Sequence, residues 1–82
     1  MRKKLFFEFI GARIKYYREK NGLTIDELAS KSGLRKQYIE KIESGRAYAL
    51  TTTKFFRIAE ALKIATGMLV YGWEEFENNS NK

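Results

Sequence analysis

Lys36, Gln37, Glu40 and Lys41 are spaced so that, on a helix, 36/40 and 37/41 stack one turn apart and all four share one face. Long polar side chains on a rigid rod can address the edges of bases. Gln37 can pair bidentately with adenine, and Lys36 and Lys41 can donate to O6 and N7 of guanine. The same four residues would also serve as an ordinary solvated helix face, with Lys36 paired to Glu40. Arg35, Tyr38 and Arg46 flank this face, and arginine and tyrosine commonly hold phosphates. Arg46, directly after the helical stretch, is the best placed of them. Arg13 and Lys15 upstream, and the hydroxyl of Thr24, extend the phosphate-contacting set.

Other chemistries are closed to this chain. It has no cysteine and no histidine, so disulfides, thiolate or imidazole metal sites and a catalytic triad cannot be built. No paired carboxylates and no nucleophile–base arrangement occur, and Gly11 and Gly22 form no phosphate loop. The expectation is a non-enzyme without metal or cofactor. The formal net charge of +6 is unevenly spread. Residues 1–23 carry seven Lys/Arg against two Glu, and residues 34–46 carry four against two. The last ten residues reverse the sign, with Glu74, Glu75 and Glu77 against Lys82. A basic body suits a polyanion such as DNA. The opening Met1-Arg2-Lys3-Lys4-Leu5-Phe6-Phe7 briefly imitates a signal peptide, but Glu8, Arg13 and Lys15 make the apolar run too short for secretion or a membrane span. A cytoplasmic protein without membrane association is expected.

The elements that must position these side chains read as helices throughout. Strand-like alternation is nowhere sustained, and 82 residues with 44% hydrophobic content make one domain. Proline is absent, and Gly22, Gly33 and Gly45 each close a helical pattern. A first helix runs from about residue 6 to Asn21, with Ile10, Ile14 and Tyr17 as its apolar stripe. Thr24 caps a second helix, and Glu27 completes a capping box. Leu28 and Ala29 face inward. A third helix begins near Arg35 and turns Ile39 and Ile42 to the core. Thr51 caps a fourth, with Phe55, Ile58, Ala59 and Leu62 buried. A short fifth covers Thr66 to about Tyr71, and the tail from Asn78 frays. Within this plan, residues 24–46 are two short helices joined by a tight turn. Ala29 lets them approach, Gly33 makes the turn, and Leu34, Ile39 and Ile42 anchor the second helix from beneath. That is the construction of a DNA-binding helix-turn-helix.

Residues 10–62 resemble the phage-repressor/Cro-like (Xre-type) helix-turn-helix family. The resemblance rests on Ile14, Arg18, Gly22-Leu23-Thr24, Glu27-Leu28-Ala29, Gly33-Leu34, Tyr38-Ile39, Ile42-Glu43, Gly45-Arg46 and Ile58-Ala59-Glu60-Ala61-Leu62. It implies an all-α, compact five-helix bundle, a lambda-repressor-like DNA-binding domain with its core over 10–72. It also implies that Arg18 and Glu43 form a buried ion pair locking the first helix to the end of the third. Three positions depart from the family's habit. Ile25 stands where Gln is common, Arg35 where Ser or Thr caps the third helix, and Leu50 where Pro precedes the fourth.

Phe6, Phe7 and Phe9 at one end, with Tyr71, Trp73 and Phe76 at the other, exceed what an 82-residue core readily hides. They form a dimer interface or wrap onto their own domain. The family's pairing through C-terminal helices favours the first, with Met68, Leu69, Tyr71, Trp73 and Phe76 as the interface and the tail 73–82 as part of it or as a frayed end. The function expected is a sequence-specific regulator binding a palindromic double-stranded operator as a homodimer and acting by occupancy. Phage-type repressors and restriction–modification controllers are both of this kind. An antitoxin that neutralises a toxin partner, and binds DNA for autoregulation, is the alternative.

Overall fold

Helix α1 (Arg2–Lys20) is the long strut of the molecule, and two different surfaces cover it. One side of it crosses α3 (Lys36–Glu43), and another meets α5 (Thr66–Val70) and α6 (Trp73–Ser80). Helices α2 (Ile25–Ser32) and α4 (Thr52–Ala61) pack on each other and complete the body. The computed structural model describes residues 2–46 and 50–80. Helices α1 to α5 make the bundle and α6 extends it; the principal extents are 39 × 21 × 20 Å.

The core is aliphatic. Ile10, Ile14, Leu28, Ala29, Ile39, Ile42, Ile58, Ala59, Leu62 and Leu69 are buried together, so every helix from α1 to α5 contributes. Phe55 is only half-buried and lies against this cluster with Phe6, Phe9 and Tyr17. Close approach of α1 to α3 depends on Gly11. A Cβ there would stand 2.1 Å from the Ile42 carbonyl oxygen, so no larger residue fits without moving one helix. Further along the same crossing, Arg18 and Glu43 close it. Arg18 Nε donates to Glu43 Oε2 at 2.6 Å, and Nη2 donates to Oε1 at 3.1 Å. Its Nη1 donates to the Leu23 carbonyl at 2.8 Å. Both side chains are about nine-tenths buried, and the bidentate hydrogen bonds to Glu43 hold the guanidinium pKa above its ordinary value.

Helix ends follow a shared device. After α1, α3 and α4 an amide returns five residues to a carbonyl: Leu23 to Arg18, Arg46 to Lys41 and Ile64 to Ala59, each at 3.0 Å. Gly45 supplies the left-handed residue after α3, with φ 80°. Lys63 supplies it after α4, with φ 59°, where glycine is the unstrained choice. At the other ends, the Thr24–Glu27 capping box and the Thr51 cap are both formed.

Two boundaries differ from the expectation. α1 begins at Arg2 rather than near residue 6, and the tail is helical through Asn78 to Ser80 rather than frayed. The two differences have one cause. Phe6 meets the Trp73 ring edge-on at 5.1 Å, and Phe9 lies 5.6 Å from Trp73 and 5.1 Å from Phe76. Tertiary packing thus supports a first turn and a last helix that are marginal alone.

Candidate nucleic-acid interface

α2 ends at Ser32, and α3 begins at Lys36. Gly33, with φ 72°, turns the chain, and the Leu34 amide returns to the Ala29 carbonyl at 3.1 Å. Leu34 then lies half-buried against the core, and Ile39 and Ile42 fix the inner face of α3. Lys36, Gln37, Glu40 and Lys41 are exposed together on its outer face. Arg35 occupies the N-cap with φ −74° and ψ 146° and makes no capping bond, so its guanidinium is left to project outward. Ile25 is partly buried against the core, an apolar brace where a polar residue is common in the family.

Arg35, Gln37, Tyr38 and Lys41 line one shallow cleft on α3. Lys36 does not pair with Glu40. Its ammonium lies 3.6 Å from Asp26 on α2, and both side chains are largely exposed, so the pair ties the helices only weakly. Arg46 is held at the opposite end of α3. Its Nε donates to Ser44 Oγ at 3.0 Å, and that hydroxyl donates to the Lys41 carbonyl at 2.8 Å. Thr24 Oγ1 accepts the Glu27 amide at 3.0 Å, while the Thr24 amide donates to the Glu27 carboxylate at 2.8 Å. That backbone hydrogen bond lowers the Glu27 pKa, which keeps a negative charge beside Thr24. Only the hydroxyl proton of Thr24 remains for a phosphate.

The match to a family model now decides the kinship. The model described as helix-turn-helix matches residues 14–69. The chain is a member of this Xre-type helix-turn-helix family.

Other members share its fold. The restriction–modification controller protein C.AhdI from Aeromonas hydrophila superposes with a TM-score of 0.74 at 28% identity, over 77% of this chain and 94% of that one. A chain of the SinR/SinI protein complex superposes at 0.71 and 26% identity, over 89% of this chain and 79% of that one. In sequence, the transcriptional regulator SinR of Bacillus subtilis is 50% identical over 34 residues, 42% of this chain. The matched segment spans only 31% of the length of that relative.

Three expected site residues have the groups they were to offer engaged or buried within the chain. Arg13 faces α5, where Nη2 donates to the Met68 carbonyl at 2.7 Å and the guanidinium sits over the Phe9 and Tyr17 rings. Its Nε is buried, so Arg13 is a clasp between helices and not a phosphate contact. The hydroxyl of Tyr38 is buried, with no hydrogen-bond partner among the described residues, so it is not placed to donate to a phosphate. Leu69 is 0% exposed and belongs to the core, so it offers no surface to a second chain. Trp73 is half-buried against Phe6 and Phe9 of the same chain, and Phe76 touches Phe9 while remaining 38% exposed. The large apolar side chains on the surface, among the described residues, include Phe56 at 64% exposure, Tyr71 at 77% and Met68 at 41%.

Sequence reasoning passed over Lys54 and Phe56. Lys54 reaches the candidate interface through Tyr38, its ammonium lying 4.6 Å from that ring centroid, a contact between α4 and α3 that no local spacing signals. Phe56 could have been found. It follows Phe55, and one step of 100° around α4 turns it outward.

Proposed function

We propose that this protein is a sequence-specific transcriptional regulator that binds a double-stranded operator in the cytoplasm as a homodimer and acts by occupancy. The observation that carries this reading is the outer face of α3, where Arg35, Gln37 and Lys41 converge on one cleft. Among the described residues none of these three side chains has an ion pair or hydrogen bond of its own. Gln37 and Lys41 read base edges, with Lys36 exchanging Asp26 for a base or phosphate. Arg35 and Arg46 grip the backbone at the two ends of α3, and Thr24 adds its hydroxyl at the start of α2. The regulator named among the sequence relatives and the controller protein among the structural ones support the same reading.

An anisotropy titration over a salt series tests it. Affinity for duplex should fall linearly on a log–log plot, by about 0.9 in slope per phosphate neutralised. Gln37→Ala should cost roughly 1–3 kcal/mol on the preferred sequence and relax preference at one position of each half-site. Arg46→Ala should weaken all sequences alike. Absence of duplex binding at low salt on every sequence tried, the host locus included, overturns the reading.

A second reading is supported by the likeness to the SinR/SinI structure, a complex between two proteins. In it, the exposed apolar side chains Phe56 and Tyr71 receive a different protein, of the toxin kind, and DNA binding serves autoregulation. A purified chain that is monomeric alone, and whose DNA affinity changes on adding the product of a neighbouring gene, favours it.

A further inference from the structure

Tyr38 touches two parts of the interface while its hydroxyl touches neither. The oxygen points inward, buried and without a partner among the described residues, and burial pushes its pKa up. The rest of the residue lines the cleft with Arg35, Gln37 and Lys41. The ring also carries the Lys54 ammonium, 4.6 Å from its centroid. Lys54 starts from a fixed point, because its amide donates to Thr51 Oγ1 at 3.2 Å in the capped first turn of α4. Among the described residues no carboxylate lies within ion-pairing distance of it. The side chain is half-buried, so part of its conformational entropy is already surrendered in the free protein. A cation held in this way, uncompensated and beside a basic cleft, lacks only an anion.

We propose that Lys54, seated on the Tyr38 ring, contacts a DNA phosphate flanking the recognition helix, and that Tyr38 is a positioning residue acting on DNA only through Lys54. The proposal rests on the DNA-binding reading above and adds a contact from α4, outside the helix-turn-helix. It separates two roles for Tyr38 that sequence alone confounds. A direct phosphate contact needs the hydroxyl; a platform needs only the ring.

The test compares Lys54→Gln, Tyr38→Phe and Tyr38→Leu with the unaltered chain, in salt titrations on the preferred and on an unrelated duplex. Lys54→Gln should reduce the slope of log affinity against log salt by about 0.9, equally on both duplexes. Tyr38→Phe should keep the original affinity and slope. Tyr38→Leu should show the slope of Lys54→Gln, and combining the two should reduce it no further. A melting curve for each variant confirms that folded protein is compared. An unchanged slope in Lys54→Gln, or a loss of affinity in Tyr38→Phe, overturns the proposal. If the unaltered chain binds no duplex, the regulator reading itself fails. If it binds with a preference that depends on Gln37, and Lys54→Gln keeps the slope, only the Lys54 assignment fails.

Discussion

Gly11 shows how one residue without a side chain can decide a fold. The 2.1 Å separation between its added Cβ and the Ile42 carbonyl oxygen is far inside van der Waals contact, and the obstacle is backbone. A Cβ at Gly45 would likewise meet Glu8 Cγ at 2.8 Å, so α1 crosses the end of α3 on two glycines. Gly11→Ala must therefore part the two helices and disturb the Arg18–Glu43 pair beyond them. We expect a loss of about 3 kcal/mol or more, since overpacking costs roughly 1–3 kcal/mol even where side chains can yield. Thermal unfolding should show it as a fall in Tm of roughly 12 °C or more for a domain of this size. A variant that melts within about two or three degrees of the parent would show that the crossing is not so tight. Nothing in the sequence marks Gly11, because a glycine inside a helical pattern carries no label of the surface it meets. Arg18 and Glu43 stand 25 residues apart and became legible only through family resemblance. Gln37 and Lys41 needed no such help, since helical spacing alone puts them on one face. The burial of the Tyr38 hydroxyl depends on tertiary packing and lay beyond any local pattern.

Among the elements, helices with a start or stop signal of their own were legible, and so was α5, expected over Thr66 to about Tyr71 and found at Thr66–Val70, whereas the helix held only by contacts between the chain ends was not. Thr24 with Glu27, Thr51 and the closing glycines lie within a few residues of the ends they define, so α2, α3 and α4 could be placed closely. α6 has no such support. It consists of eight residues, and three of its side chains, Glu74, Glu75 and Glu77, are acidic. Its stability must come from Trp73 and Phe76 packing on Phe6 and Phe9, contacts between the two ends of the chain. Removal of α6 is therefore a change to the fold as well as to any surface. Trp73→Ala should cost about 2–3 kcal/mol, less than a fully buried tryptophan because the ring is only half-buried. The chain has a single tryptophan, which makes the same contact visible by fluorescence. Emission should be blue-shifted in the native protein, and Phe9→Ala should move it to the red before global unfolding. Native emission already at the position of the unfolded chain would mean that α6 does not rest on α1 in solution.

For the whole molecule, the question is how one small domain could select a site in a genome. One helix-turn-helix reads few base pairs, and a two-fold pair doubles the site, with half-sites about 34–36 Å apart. The pairing surface must leave α3 free. Part of the C-terminal surface expected from sequence is used within the chain, since Leu69 is core and Trp73 packs on α1, while Met68, Tyr71 and Phe76 stay exposed. α4 offers another. Lys54 points toward Tyr38, and Phe56, two residues on, lies about 200° around the helix and so faces away from α3. Thr53, Phe56, Arg57 and Glu60, at i, i+3, i+4 and i+7, form an outer stripe of α4. With Ile64, Ala65 and Thr66 that stripe lines an open cleft. A phenylalanine 64% exposed beside such a cleft suits a self-complementary contact, in which the ring of one copy enters the cleft of the other. Sedimentation at micromolar concentration should then report about twice the 9.6 kDa chain mass. Phe56→Glu should halve that mass and weaken operator binding, while leaving the helical circular dichroism and the melting of the monomer essentially unchanged, because most of the side chain is exposed. A Phe56→Glu protein that remains dimeric would return the interface to Met68 and Tyr71. A parent chain that is monomeric throughout, and binds its operator as a monomer, would remove the dimer and leave the cleft on α4 to a different protein partner.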